Sequence, residues 1–291
     1  MSSDPGVGAG PGVGAGPGVG AGRADAGRGA VVGRLRAAGC VFAEDEADLL
    51  LAHASTSAEL PALLERRCAG EPLEHVVGWV EFDALRLEVG PGVFVPRRRT
   101  AVLVDQAWSC RQTDALVVEL CGGSGAIAAA LLSRAEAAGE RISLHCADVD
   151  PVAVRCARRN VEPRGGQVHE GDLFAALPRE IAGRVHVLVA NVPYVPRDAV
   201  ALMPAEARLH EPPIALDGGG DGLDVARRIA SAAHRWLTPG GRFLFEASIG
   251  QLAGVVDLLA AAGLSPRVVV DVEDDVVVAI GTLPDVGRRP G

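Results

Sequence analysis

The amino-acid sequence predicts an α/β fold: a mostly parallel sheet covered by helices on both faces, with one antiparallel edge strand. Three observations predict it. From residue 115 onward, apolar segments alternate with helical ones. Those segments are apolar throughout, as strands buried on both faces are. The last two, "RVVVDV" and "DVVVAIG", are joined by a short acidic turn at Glu273–Asp275, which suits a closing antiparallel pair.

The elements follow in order. "ALVVEL" (115–120) is the first strand, followed by a Gly-rich loop and a helix to about residue 137. "ISLHCADVD" (142–150) is the second, with a helix starting at Pro151, where proline's fixed φ suits a first turn. "QVHEGD" (167–172) and "VHVLVANVP" (185–193) are the third and fourth. "DGLDVARRIASAAHRWL" (221–237) is an amphipathic helix ended by "TPGG", and "RFLFEAS" (242–248) is the fifth strand. Residues 28–72 carry apolar residues at helical spacing and form a small helical region. Residues 73–99, with turns at Asp83 and Pro91–Gly92, read as a β-hairpin linker. The larger domain spans 100–283, and its first helix starts with Thr100 as cap.

Residues 1–27 hold three copies of "PGVGAG", which cannot bury enough surface to offset ordering entropy. They are expected to be disordered, as are 284–291. Length 291 and 48% hydrophobic residues are ample for a core. The net charge of −9 argues against binding driven by phosphate neutralisation, although "PRRRT" (96–100) is locally basic. Six cysteines with no C-x-x-C pair and seven histidines with no H-E-x-x-H pattern argue against a metal site. The scattered thiols and the lack of a signal-peptide pattern or an 18-residue apolar run predict a reduced, cytoplasmic protein with no membrane span.

Four motifs carry chemistry. "VVELCGGSGAIAAAL" (117–131) is a strand ending in a Gly-rich turn that opens a helix, so backbone can approach a ligand closely. Alone it is a weak signal; a tight turn without a ligand reads the same, and the Lys-Ser/Thr ending of a phosphate loop is missing. Asp148, at the end of the second strand, can accept two ribose hydroxyls; Asp172, after the third, suits the edge of an adenine. Asn191, in "ANVPYVP", follows the fourth strand and so faces the same crevice. Its side-chain oxygen is an acceptor, and Tyr194, the only tyrosine, offers a flat face in a loop stiffened by Pro193 and Pro196. Together they suit a planar group bearing an NH₂.

With these motifs in this order, the chain resembles the HemK/PrmC family of protein-(glutamine) methyltransferases from about Glu71 to Gly281. The resemblance includes "EPLEHVVGWVEF", "VGPGVFVPR", "GGSGAIA", "ADVDPVAV", "GDLF", "ANVPYVP", "HEPPIALDGGGDGLD" and "LTPGGRFLFE". It implies a class I, Rossmann-like methyltransferase fold with a seven-stranded sheet and S-adenosylmethionine as cofactor. It implies a monomer that methylates a glutamine of a protein such as a peptide chain release factor. It places Glu119, Cys121, Gly123 and Gly125 around the methionine part and its loop, Asp148 at the ribose and Asp172 at the adenine. Asn191, also at the cofactor, forms a catalytic group with Val192, Pro193 and Tyr194. In it the Asn oxygen and the carbonyl of the following residue accept the two amide hydrogens and Tyr lies against the amide plane. Arg97 and Thr100 line the substrate side.

The chain departs from the family pattern in four places. Val192 stands where Asn-Pro-Pro-Tyr has its first proline; the carbonyl is kept and φ restriction is lost. Arg98 and Arg99 replace a proline and an acid, which bears on whose glutamine enters. Cys121 begins a loop that usually begins with Gly, and the helical region is short. "RGGQV" (164–168) contains the tripeptide methylated in release factors but reads as an ordinary turn. Cys146, Cys156 and His210 read as core or loop residues, and Glu211–Pro212 as shaping the loop over the site. No general base stands out. A second reading is adenine amino-methylation in DNA or RNA, opposed by the charge and by only ten aromatic residues. A third is a cofactor-binding pseudoenzyme, opposed by the retained Asn191, Tyr194, Asp148 and Asp172.

Overall fold

The computed structural model describes residues 19–56, 58–273 and 275–285. The chain divides into two compact units between Ala69 and Gly70. The first contains α1 (Val19–Ala37), α2 (Ala43–His53) and α3 (Leu60–Cys68). Among the described residues, Val31, Val32, Leu35, Ala43, Ala47, Leu50 and Leu64 are its buried apolar residues, and Arg67 pairs with Glu46 at 2.7 Å. Helix α1 starts at Val19, inside the third repeat, nine residues before the expected start at 28; the first 18 residues of the repeat tail lie outside the described residues.

The second unit opens with α4 (Leu73–Val77), β1 (Trp79–Phe82) and β2 (Leu85–Glu88). Strands β1 and β2 form the expected hairpin, turning through Asp83 and Ala84 at φ 49° and 60°. The hairpin is more than a linker. Val80, Phe82, Leu87 and Val89 are buried in the same core as the sheet. Then follow α5 (Ala101–Ser109), β3 (Leu116–Leu120), α6 (Ala126–Ala138), β4 (Ser143–Asp148), α7 (Pro151–Val161), β5 (Gln167–Glu170) and β6 (Val185–Ala190). Short helices α8 (Arg197–Val200) and α9 (Ala205–His210) lead to α10 (Asp224–Ala233), β7 (Leu237–Ala247), α11 (Leu252–Ala261), β8 (Ser265–Asp271) and β9 (Val276–Thr282).

The sheet has seven strands in the order β5-β4-β3-β6-β7-β9-β8. Its reversal lies at the expected edge, but the reversed strand is β9, one place in: it runs antiparallel to both β7 and the outermost β8. Alternate residues of each strand feed opposite cores. Val117, Val187, Val189 and Leu244 pack toward α5, α6 and α7, while Val118, Leu188, Phe243 and Phe245 pack toward α10 and α11. Helix α10 is shorter than expected, because Asp221 accepts the Leu223 N–H in a turn before it and "LTPGG" runs into β7 rather than ending a helix. Strand order turns around between β3 and β6, which opens a crevice at their carboxyl ends.

Candidate active site

A cavity of about 260 Å³ occupies that crevice. At one end the chain leaves β3 through Cys121, Gly122, Gly123 and Ser124. Cys121, Gly123 and Gly125 all take positive φ (55°, 58° and 75°). Cys121 therefore holds a backbone region that glycine occupies without strain, the physical content of its departure from the family pattern. Burial pushes its thiol well above the usual range, away from the thiolate form that makes a cysteine reactive. Gly122 has no room for a side chain against the Cys146 sulfur. Gly123 is open: an added Cβ would meet nothing within 4 Å, so the loop backbone faces the cavity.

Three carboxylates surround this end. Glu119, buried at the end of β3, accepts the Ala128 N–H of α6 at 2.9 Å, and burial pushes it up to about 8. Asp148 accepts the Gly123 N–H at 2.8 Å on one oxygen and the Asp150 N–H at 2.9 Å on the other. Each oxygen keeps a lone pair for a further donor. Burial raises its pKa above the ordinary value. Asp172, after β5, pairs with Arg228 of α10.

The other end is built from Asn191–Val195 after β6 and from residues 94–100. Val192 turns its side chain into the core at 2% exposure, which leaves its backbone at the cavity. The loop is buttressed from behind. Gln251 donates to the Tyr194 carbonyl at 2.9 Å, and Gly218 N–H donates to the Val195 carbonyl at 2.9 Å. A Cβ at Gly218 would lie 2.6 Å from the Pro193 carbonyl oxygen, and one at Gly222 would overlap that of Tyr194. The glycines of "ALDGGGDGLD" are thus what let two loops lie together. Tyr194 O–H donates to buried Glu246 of β7 at 3.0 Å and accepts from Arg99. Burial and the facing Glu246 push the phenol up to about 12. Thr100 O–H donates to Glu246 at 2.8 Å, and Asn191 Nδ2 donates to Thr100 Oγ1 at 3.4 Å.

Of the expected site residues, Glu119, Cys121, Gly123, Asp148, Asp172, Asn191, Val192, Pro193, Tyr194, Arg97 and Thr100 all line this cavity. Gly125 does not. It sits against α7, where a Cβ would lie 2.6 Å from Val161 Cγ2, so its requirement for glycine comes from its positive φ and from packing between α6 and α7. The guanidinium of Arg97 donates to both oxygens of Glu211 at 2.7 Å and lies 4.8 Å over the Phe94 ring. That pair ties residues 94–97 to the segment after α9. Thr100 does not cap α5: it has helical φ and ψ (−64°, −12°), and its hydroxyl goes to Glu246 instead. Sequence reasoning missed Glu246. The available signal was one acidic residue inside the apolar run "RFLFEA"; Glu119 in "LVVEL" has the same pattern, although it was assigned through the family resemblance.

No protein-family model matches the chain. It is 36% identical over 266 residues to "Release factor glutamine methyltransferase" of Cereibacter sphaeroides, covering 83% of this chain and 91% of that relative. The chain belongs to the HemK/PrmC family of release factor glutamine methyltransferases. These are S-adenosylmethionine-dependent enzymes. A second member, from Streptomyces coelicolor, is 39% identical over 188 residues, 63% of this chain. That match spans 65% of the length of the relative. Family resemblance extends to "4-amino-L-phenylalanine/4-methylamino-L-phenylalanine methyltransferase" of Streptomyces pristinaespiralis, 37% identical over 207 residues and 69% of each chain. Among solved structures, a methyltransferase from Pyrococcus furiosus matches the fold with TM-score 0.51 at 17% identity, over 69% of this chain and 89% of that one. Among the described residues no helix is long and apolar enough to cross a membrane, and no group of three or more His, Cys, Asp and Glu could hold a metal ion.

Proposed function

We propose that this protein methylates the side-chain amide nitrogen of a glutamine in a release factor, with the roles divided along the cavity. The cofactor end fits S-adenosylmethionine. Glu119 and the open backbone at Gly123 suit the methionine part, the remaining lone pairs of Asp148 suit a ribose diol, and Asp172 suits the adenine amine. When bound, the cofactor supplies a methyl group on a positively charged sulfur.

The protein's own task is to make an amide nitrogen reactive, because that lone pair is delocalised into the carbonyl. Asn191 Oδ1 and the Val192 carbonyl are two acceptors for the two N–H groups. Acceptors that bind a nitrogen gaining positive charge stabilise the transition state more than the ground state. The Tyr194 ring is the wall that sets the plane of the amide, and holding it in line with the methyl removes much of the entropic barrier. The N–H acidity rises as the bond forms, so no base is needed before attack. The observation that carries this reading is the donation from Asn191 Nδ2 to Thr100, which turns the amide oxygen of Asn191 to the other side. Incubation with methyl-labelled S-adenosylmethionine and a release factor tests it: label in a glutamine-containing peptide supports the reading, and label absent from protein overturns it.

The Streptomyces pristinaespiralis relative and the Arg99 guanidinium at the cavity favour a second reading, an aryl amine on a free amino acid. The same assay with 4-amino-L-phenylalanine in place of the release factor separates the two.

A further inference from the structure

We infer that Glu246 is a positioning residue: this one buried carboxylate fixes the orientation of both Asn191 and Tyr194, and so decides which end of the Asn191 amide meets the substrate. The inference rests on the acceptor role of Asn191 proposed above. Glu246 lies on β7, opposite Val278 of β9, with 1% of its side chain exposed. Its side-chain partners are Thr100, Tyr194 and Arg99. These are groups that face the cavity.

A carboxylate only accepts, and a threonine hydroxyl has a single proton to give. Glu246 Oε2 takes that proton from Thr100 at 2.8 Å. Thr100 Oγ1 can then only accept from Asn191, so Nδ2 must be the end of the amide that approaches it, as observed at 3.4 Å. Oδ1 becomes the free end. Glu246 Oε1 accepts the Tyr194 O–H at 3.0 Å and Arg99 Nε at 3.4 Å. The phenol oxygen also accepts from Arg99. The tyrosine wall and the asparagine acceptor are therefore set from a single point behind them.

Glu246→Gln tests this because it keeps the volume and reverses the logic. The Arg99 N–H opposes an NH₂ group at the Oε1 position, so the new amide nitrogen falls on the Thr100 side. It donates to Thr100, whose proton then turns to Asn191 and draws Oδ1 toward it. The substrate meets an NH₂ where it needs an acceptor. The expected result is a fall in kcat of about 10²-fold, the scale of losing one transition-state hydrogen bond. Cofactor affinity and melting temperature stay close to those of the unaltered protein. In an Asn191→Ala background the same substitution has little further effect, since the residues act through one another. Thr100→Val, which breaks the chain without touching Glu246, loses kcat similarly, and Thr100→Ser recovers turnover relative to it.

Two outcomes separate the ideas. If Asn191→Ala abolishes transfer while folded Glu246→Gln and Thr100→Val turn over normally, the positioning role falls and the acceptor role stands. If Asn191→Ala itself turns over normally, the acceptor role falls and the positioning role falls with it.

Discussion

The two ends of the cavity are built in different ways. At the cofactor end, Glu119 and Asp148 lie at strand tips and are held by partners within 25 residues: Glu119 takes the Ala128 N–H nine residues on, and Asp148 takes the Gly123 N–H 25 residues away and the Asp150 N–H two residues away; Asp172 alone of the three carboxylates reaches further, to Arg228 56 residues on. At the acceptor end, the groups are held from far off. Thr100 and Glu246 are 146 residues apart, Arg97 and Glu211 are 114, and Tyr194 and Glu246 are 52. The first end is specified by motifs; the second exists only once the whole domain has closed. Changes to one end should therefore alter cofactor affinity, and changes to the other turnover.

Asn191→Ala is expected to break the comparison most sharply. It removes the acceptor proposed for the reacting nitrogen and should lower kcat by about 10²–10³-fold, with cofactor binding nearly unchanged in a calorimetric titration. Asp148→Ala should do the reverse. Loss of the charged acceptor proposed for the ribose costs about 1.5–3 kcal/mol, so the cofactor Kd should rise by roughly 10–100-fold, while kcat at saturating cofactor stays within a few-fold.

A pH titration sharpens the contrast. Burial holds Glu119 protonated up to about 8, whereas an exposed glutamate ionises near 4.5. Between those values the folded protein without cofactor keeps a proton that the unfolded chain has lost. Its stability therefore falls as pH rises through that window, by up to about 1.4 kcal/mol per pH unit. A cationic cofactor beside Glu119 favours the carboxylate, so binding should release a proton and tighten as pH rises toward about 8. Calorimetry in buffers of different ionisation enthalpy measures that proton. Glu119→Gln should remove the Glu119 share of both dependences, leaving the part that the raised Asp148 and Glu211 carry.

The smallest expected effect is that of Val192→Pro. The carbonyl stays and φ is restricted, so turnover should hold or rise slightly. The buried side chain shrinks, so the melting temperature should drop by an amount equivalent to about 1 kcal/mol. A large loss of turnover would mean that the side chain at 192, and not its carbonyl, matters.

The same division explains what could be read from the sequence. Strand ends, the Gly-rich turn and Asp148 were legible because each depends on residues close in the chain, and Asp172 from its place after a strand, although its partner Arg228 lies 56 residues on. The lining by Asn191 and Tyr194 was legible for the same reason. Glu246 was not, because nothing near it in sequence says that Thr100 and Tyr194 will arrive beside it. Thr100 was misread by the same route: a Thr before an apolar helix is a good cap locally, and only the distant carboxylate draws its hydroxyl elsewhere. Gly125 looked like part of a ligand loop, yet its neighbours are Val161 and Ala157 on the next helix, out of reach of any local pattern. The hairpin pattern was clear, but its apolar face faces a core that periodicity alone does not locate.

Tyr194 is the only tyrosine in the chain. Any phenolate absorbance in the folded protein comes from one ring, at the wall of the acceptor end, ionising near 12 against burial and Glu246. The alkaline absorbance titration is thus an optical gauge of that wall. Covering the ring with an acceptor should move its midpoint further up, and loss of Glu246 should move it down, with no label attached.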